Sequence, residues 1–567
     1  MILFFIVFSY ITFSTFYPIF TAKEIIISYG IHPFDICSKN PQLWRLLKIS
    51  YLICFVFSNF ILGHSIYTRI LMKFSFFQSN PIHHKKETSS ASHSKDKLDL
   101  LIGEDFSHHK IYIPESGLYQ NFLITGTIGS GKTSSAMYPF TKQLIEFNHN
   151  NPEKKIGMLI LDVKGNFYQQ VKKYANQYQL EKDLVIIELK SNIHYNPLHK
   201  PNLKPQVLAN RLKNILLLFS ENNTESYWLD KAEEILTECI KLCRLYNNNY
   251  VTFLELHKLI TIPNYYKEKI HILRNLFISS QLSQSQIYEL NSSLNFFQKE
   301  FENLDNRTKG ILVSEITRIT NPFVSDYDVM TTFCSPIENL SFTGFSEVIK
   351  KGKIVVLNMN ISEYNSLSKI IAAYLKLDFQ TEIISNLSNT SSRTTAFICD
   401  EYDKYITKSD GEFFSLSREA KCINIVSTQS YSSLKATLKE EAQVKVITQN
   451  LINKIWFRTD DIFTIEEAQK QLGKEEKERT SKSISESAKQ TRFSYITNTL
   501  NSEASNISET FSTYLQNDYI FETNFFTQNL ETFSALTFLS DGNKIYPPKK
   551  IHMLPYFKET ESLYRKE

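Results

Sequence analysis

Three of the fifteen glycines in the chain stand within six residues, in the segment GTIGSGKT at residues 126–133. Their spacing, glycine, four residues, then glycine, lysine and threonine, is that of a phosphate-binding loop. Glycine lets the backbone turn successive N–H groups inward, and the helix that follows adds its positive end. The Lys132 ammonium would reach the β- and γ-phosphates of ATP, and the Thr133 hydroxyl would hold Mg²⁺. We therefore expect a nucleotide to be bound by the whole segment: Gly126, Thr127, Ile128, Gly129, Ser130, Gly131, Lys132 and Thr133.

A phosphate-binding loop needs a carboxylate on its Mg²⁺ side, at the end of a neighbouring strand. The apolar run at 396–399 supplies one, because it ends in Asp400 and Glu401. Asp400 is the expected Mg²⁺ ligand, and Glu401 is the expected group that polarises the attacking water. The alternative is an ordinary strand end whose acids cap a helix. Asp162 also follows an apolar strand, but no second acid follows it, so we expect only a supporting role for it.

Two further residues lie where a phosphate-handling site could use them. Gln429 ends the next apolar strand, where an amide can sense the γ-phosphate or position water; a polar strand cap is the alternative. Arg418 lies between the two strands, on an expected helix. It could act as an arginine finger from a neighbouring subunit, since a guanidinium stabilises charge on the γ-phosphate. The alternative is that Arg418 forms an ion pair with Glu419 or another acid. The spacing of the residues alone does not distinguish these two roles.

Buried strands must hold these residues in place, and continuous apolar runs in the chain predict them. Such runs are typical of a parallel sheet that is covered on both faces. They lie at 121–125, 158–161, 183–189, 353–360, 394–403, 423–429, 454–460 and 533–540. Between 205 and 325 the apolar spacing is helical, so an all-α insertion of roughly four to six helices is expected. Residues 474–518 are rich in serine, asparagine and charge, and we expect a helix and a mobile loop there.

Composition narrows the class of protein. A chain of 567 residues has material for several domains, and its net charge of +4 is nearly balanced. Any nucleic-acid contact must therefore be local, for example a basic ring formed on assembly. The seven cysteines are scattered without a C-x-x-C pair. They indicate neither a disulfide framework nor a cysteine metal site, which fits a reducing cytoplasm.

The N-terminus differs from the rest of the chain. Residues 2–20 contain no charged side chain, and residues 49–67 contain only His64 as a titratable group. Each segment is long enough to cross the roughly 30 Å of a bilayer core, so two transmembrane helices are expected. A signal peptide is the alternative for the first, but it lacks a basic start and a cleavage site. Basic residues at 69–86 favour a cytoplasmic location for everything after the second span.

The expected domain organisation has five parts. They are a membrane anchor at 1–78, a flexible linker at 79–100, the first part of a nucleotide-binding domain at 101–204, an all-α insertion at 205–330, and the second part of the nucleotide-binding domain with a C-terminal tail at 331–567.

Several motifs occur together and in a fixed order after the two N-terminal spans. They are GTIGSGKT, DVKG at 162–165, YNPL at 195–198, CDEYDKY at 399–405, LSREAKCINIVSTQSYSSL at 416–434 and IWFRTDD at 455–461. Over essentially the whole chain, this order resembles the type IV secretion coupling proteins, the TraG/TraD-type conjugative DNA-transfer ATPases. One departure is visible: the family's D-P-K-G-E element reads DVKGN here, with Val163 for proline and Asn166 for glutamate.

The resemblance implies a RecA-like nucleotide-binding domain with an inserted all-α domain, preceded by two transmembrane helices. It implies a homo-hexamer in the bacterial inner membrane. The two spans and the basic residues after the second one predict that both termini lie in the cytoplasm. The resemblance also implies ATP and Mg²⁺ as cofactors, and single-stranded DNA or a relaxase–DNA complex, inner-membrane components of a type IV secretion system and the lipid bilayer as partners. By the same resemblance, Glu401, Lys132, Gln429 and Arg418 are catalytic, with Gln429 as sensor and Arg418 as the finger in trans.

Three other functions remain possible on the sequence. The cargo could be protein effectors rather than DNA. The protein could be a docking platform with a vestigial ATPase, although the complete set of hydrolytic residues argues against it. It could also be an FtsK-like chromosome translocase, but that group has more spans and a C-terminal winged-helix domain, for which 519–567 is too short.

Overall fold

The computed structural model describes residues 97–219, 226–278, 283–359, 361–387, 393–487, 492–494, 499–501 and 506–558, and positions 42, 45, 46, 49, 50 and 53. The expected span at 2–20 lies outside the described residues, and so does the span at 49–67 apart from positions 49, 50 and 53. Within the described part of the chain, no helix combines the length and the apolar character needed to cross a membrane. Contacts divide the chain into Met1–Ser94 and Lys95–Glu567. The strands and helices given below all belong to the second unit.

The centre of this unit is a large mixed sheet, in which the described residues form eleven strands. The strands are β1 Asp99–Glu104, β2 Lys110–Pro114, β3 Phe122–Thr125, β4 Gly157–Leu161, β5 Leu184–Ile187, β6 Ile354–Leu357, β7 Thr395–Cys399, β8 Cys422–Thr428, β9 Asn453–Trp456, β14 Ser534–Phe538 and β15 Lys549–His552. Their order in the sheet is β2-β1-β15-β14-β9-β3-β8-β7-β4-β6-β5. From β9 to β5 neighbouring strands are parallel, whereas β14, β15, β1 and β2 extend the sheet with antiparallel pairs. Every predicted apolar run overlaps one of these strands.

Helices cover both faces of the sheet. They are α1 Glu115–Leu118, α2 Tyr138–Glu146, α3 Phe167–Gln177, α4 Pro205–Phe219, α5 Ser226–Tyr246, α6 Phe253–Thr261, α7 Tyr265–Ile278, α8 Gln284–Asn295, α9 Asn306–Thr320, α10 Tyr327–Phe333, α11 Ser346–Lys351, α12 Ile361–Ser385, α13 Asp410–Leu416, α14 Tyr431–Leu438, α15 Glu441–Gln449, α16 Ile462–Leu472 and α17 Thr523–Thr527. Among the described residues between β5 and β6, the only regular elements are helices, from α4 to α11.

Two buried apolar clusters account for the continuous apolar strands. In β4, Leu159 and Leu161 belong to the cluster that includes the all-α insertion and α12. Met158 and Ile160 belong to the other cluster, with α2 and α3. Successive side chains of a strand point to opposite faces, so a strand between two helical layers needs apolar residues at every position.

The segment 474–518 differs from its prediction. Instead of the expected helix, β10 (Lys474–Ser487) and β13 (Asn506–Tyr519) form a long antiparallel ribbon, with Lys474 opposite Tyr519. Most of the residues between β10 and β13, where the mobile loop was expected, lie outside the described residues. The short strands β11 (Arg492–Ser494) and β12 (Thr499–Asn501) form a second pair. The expectation of a helix was wrong because serine and threonine, which dominate here, favour strands and turns over helix interiors. Cross-strand pairs such as Lys482 with Phe511 then stabilise the ribbon.

Candidate functional site

The segment GTIGSGKT forms a tight loop between β3 and the first helical turn after it. Gly129 and Gly131 have φ of 78° and 104°, a conformation that disfavours residues with a Cβ atom. A Cβ atom on Gly131 would lie 2.6 Å from Cδ1 of Phe533, so the close approach also requires glycine there. The helix begins as a π-helical turn, Thr133–Met137, and continues as α2. The predicted arrangement of strand, glycine loop and helix N-terminus is therefore present.

Lys132 lies over this loop and is only 9% exposed. Its ammonium donates hydrogen bonds to the carbonyl oxygens of Gly126, at 2.5 Å, and Thr127, at 3.1 Å. Burial lowers the pKa of Lys132, and the charge of Asp400 opposes that shift. The Lys132 ammonium is therefore held by carbonyl oxygens of the same segment whose N–H groups would surround a phosphate.

Asp400 joins the loop to the sheet. It follows β7 and is 2% exposed. Its Oδ2 accepts a hydrogen bond of 2.7 Å from the Thr133 hydroxyl, and its Oδ1 accepts one from Ser427. Ser427 was not predicted as a site residue. Its only sequence signal is its position two residues before Gln429, on the strand between β3 and β7.

The residues around Thr133 and Asp400 fit Mg²⁺. A hydroxyl oxygen and a carboxylate oxygen are hard ligands of the kind that Mg²⁺ prefers, and they lie 2.7 Å apart beside a loop built for phosphate. The structure therefore brings the two predicted metal ligands together.

Asp162 has a different task from Asp400. Its carboxylate accepts hydrogen bonds from the backbone N–H groups of Lys164, Asn166 and Phe167, at 2.9–3.1 Å. These bonds hold the DVKGN turn and the start of α3. Burial, reinforced by the charge of Asp400, raises the pKa of Asp162. This is the supporting position that was predicted for Asp162.

Glu401 stands in a left-handed backbone conformation, with φ of 51°. Such a conformation is rare for a non-glycine residue and is concentrated at functional sites. Its Oε1 lies 2.8 Å from Nζ of Lys164. Although burial opposes the shift, this ion pair raises the pKa of Lys164. Lys164 was missed as a neighbour of Glu401, because its place within DVKG carries no signal for a partner more than two hundred residues away.

Gln429 and Arg418 lie at opposite ends of β8. Gln429 follows Thr428, which pairs with Thr125 at the start of the phosphate loop, so the Gln429 backbone is at the same sheet edge as the loop. Arg418 lies in an exposed turn after α13 and before the first residue of β8, not on a helix as expected. Seven strand residues separate the two ends, roughly 20 Å. Within one chain, the structure does not bring Arg418 to the phosphate loop.

Comparisons with known proteins bear on the predicted resemblance. Residues 394–511 match a protein family described as the TraM recognition site of TraD and TraG. Over these residues, the resemblance to the TraG/TraD-type coupling proteins is confirmed. No curated protein matches the chain by sequence.

Solved structures of the conjugative coupling protein TrwB resemble the fold. An unbound form, TrwBdeltaN70, aligns with a TM-score of 0.53 and 14% identity, covering 78% of this chain and 87% of that one. The complexes of TrwB with a non-hydrolysable GTP analogue and with ADP and Mg²⁺ each align with a TM-score of 0.52 and 13% identity, over the same shares. At this identity the likeness is one of fold. The mixed α/β fold with a large parallel sheet is the one predicted.

Proposed function

We propose that this protein is a membrane-anchored ATPase that couples DNA or a nucleoprotein to a type IV secretion channel and drives its transfer. The observation that carries the proposal is the contact between Thr133 of the phosphate loop and Asp400 at the end of β7. It unites the two halves of a nucleotide-hydrolysing site from residues that lie 267 positions apart.

ATP and Mg²⁺ are the cofactors. The loop backbone and Lys132 would bind the phosphates, and the oxygens of Thr133 and Asp400 would hold Mg²⁺. The solved complexes of TrwB with ADP and Mg²⁺ and with a GTP analogue support this assignment. When bound, Mg²⁺ supplies charge neutralisation for the phosphate oxygens.

The other residues of the site act on the attacking water and on the position of Asp400. Glu401 orients the attacking water and accepts its proton. The left-handed backbone conformation of Glu401 sets the direction in which its side chain leaves the main chain. Ser427 donates to Asp400 and holds that carboxylate towards Thr133. Gln429, at the same sheet edge, senses the γ-phosphate or positions water. Asp162 keeps the DVKGN turn, and with it Lys164, next to Glu401.

The proposed cargo follows from the family resemblance, and the proposed membrane location follows from the N-terminal sequence. The match to the TraM recognition site of TraD and TraG supports a role as a coupling protein. The proposed substrate, single-stranded DNA or a relaxase–DNA complex, is taken from the resemblance to the TraG/TraD-type proteins. The apolar segments 2–20 and 49–67 support a two-pass anchor in the inner membrane, with both termini in the cytoplasm. The working unit is a homo-hexamer, in which Arg418 of one subunit completes the site of the next.

The test is the rate of ATP hydrolysis by the purified full-length protein, with and without DNA. We expect single-stranded DNA to raise the rate more than duplex DNA of the same length. The variant Lys132→Ala should show no hydrolysis under either condition. A hydrolysis rate that neither form of DNA changes would contradict DNA as the cargo and would favour protein effectors. Absence of hydrolysis by the parent protein would contradict the proposal that it is an ATPase.

A further inference from the structure

We propose that Phe533 and Phe557 form the platform on which the base of the bound nucleotide stacks. This inference rests on the proposed binding of a nucleoside triphosphate at GTIGSGKT. The phosphate loop and the Mg²⁺ ligands account for binding of the phosphates only. The two phenylalanines would bind the base of the same nucleotide.

The strand order places this platform on the correct side of the loop. β8 and β7 lie on one side of β3, and β9 and β14 lie on the other. Asp400 follows β7, whereas Phe533 precedes β14. Since β14 runs antiparallel to β9, its first residue lies at the sheet edge where β3 and β7 end. A nucleotide that presents its terminal phosphate to Asp400 therefore extends its sugar and base towards Phe533.

Phe533 is attached to the phosphate loop itself. Its backbone N–H donates to the carbonyl oxygen of Ser130 at 3.1 Å. Its ring edge lies 2.6 Å from the position that a Cβ atom on Gly131 would occupy. Phe533 also has φ of 65°, which is unusual for a bulky residue and is sustained only where the surroundings impose it. The ring is therefore fixed against the loop rather than placed near it by chance.

Phe557 extends the aromatic surface beyond Phe533. Their ring centroids are 5.9 Å apart, with the planes at 70°. The neighbouring Tyr556 packs edge-on against Tyr138, the first residue of α2, at 5.2 Å. The segment is also tied by the bond from Met553 N–H to the Phe533 carbonyl at 2.7 Å. Despite these contacts, the Phe557 side chain is 58% exposed. A phenyl ring held in place and open to solvent beside a phosphate loop has the properties of a stacking surface.

The chemistry of the platform defines its ligand. Stacking of a base on an aromatic ring does not depend on the hydrogen-bonding groups of the base, because every base has a π-face. The ligand is accordingly a nucleoside triphosphate. Its base contributes to the binding affinity by stacking on Phe557 and Phe533.

The test separates the base from the phosphates. Isothermal titration calorimetry of the purified full-length protein would measure the affinity for Mg-ATP and for Mg-tripolyphosphate, which has no base. We expect Phe557→Ala to weaken ATP binding by about fivefold or more and to leave tripolyphosphate binding unchanged. Phe533→Leu, which keeps an apolar side chain against Gly131, should show the same selective loss. Phe106→Ala removes an exposed phenyl ring that packs by Lys550 and should change neither affinity.

Two results would overturn the platform. One is ATP binding by Phe557→Ala that equals that of the parent; the other is equal weakening of ATP and tripolyphosphate. Lys132→Ala distinguishes this failure from failure of the proposed function, since it should weaken both ligands together. If the parent binds neither ligand, the nucleotide site and the platform are both wrong.

Discussion

The buried ion pair between Lys376 and Asp410 offers a sharp test of how the segment after Glu401 is held. Both side chains are fully buried, and the ammonium lies 2.7 and 2.6 Å from the two carboxylate oxygens. The same carboxylate accepts hydrogen bonds from the Tyr402 hydroxyl and from Thr407. Asp410→Asn would leave the Lys376 charge buried without its counter-charge. Breaking such a pair from one side costs about 3–5 kcal/mol of unfolding free energy.

The matched control lies two residues away. Lys408 pairs with Glu440 at 2.7 Å, but their side chains are 52% and 53% exposed. Solvent screens an exposed pair of this kind, so Glu440→Gln should have little effect on stability. In a unit the size of Lys95–Glu567, with an unfolding entropy of about 2.1 cal/mol/K per residue, a loss of about 3 kcal/mol lowers the midpoint of thermal unfolding by roughly 3 °C. Differential scanning calorimetry of both variants measures this. Equal midpoints for Asp410→Asn and Glu440→Gln would refute the reasoning.

Three further predictions address the site and the sheet. Lys132→Ala should lose nucleotide binding but unfold at the same temperature as the parent without nucleotide; undiminished ATP turnover would contradict the loop assignment. Arg418→Ala should bind ATP normally and hydrolyse it about 10³-fold or more slowly, and mixing it with Glu401→Gln subunits should restore partial turnover; an inactive mixture despite verified co-assembly would make Arg418 structural. Burial lowers the pKa of Lys454 from 10.5 to about 7. The unfolded chain therefore binds more protons between these pH values, and the stability of the parent relative to Lys454→Met should rise with pH across that interval. The measurement is urea denaturation of both proteins across this pH interval. A difference in unfolding free energy between the parent and Lys454→Met that does not change with pH would contradict this prediction.

The strands and the phosphate loop were predictable from local sequence. A parallel strand buried on both faces must be apolar throughout, so β3, β4, β7 and β8 stand out as continuous apolar runs. The loop was recognisable because its glycines are needed for backbone geometry. The choice of Asp400 over Asp162 also followed from sequence, since only Asp400 has an acidic neighbour.

The rest of the site depends on contacts between distant parts of the chain. The ion pair of Lys164 with Glu401, and the packing of Phe533 on Gly131, are set by strand order, which no local pattern records. The ribbon of β10 and β13 was missed for another reason. Its residues are mostly polar and many are exposed, so neither helical nor alternating apolar periodicity marks it.

The central claim is that one site, built from the phosphate loop and the end of β7, hydrolyses ATP. Its most direct test is the pair of measurements that separate binding from turnover in Glu401→Gln. This variant keeps Thr133 and Asp400, so its affinity for Mg-ATP should equal that of the parent. It loses the carboxylate that accepts the proton of water, so turnover should fall by about 10²-fold or more. Unchanged turnover with unchanged binding would contradict the assignment of Glu401 and the account of the site.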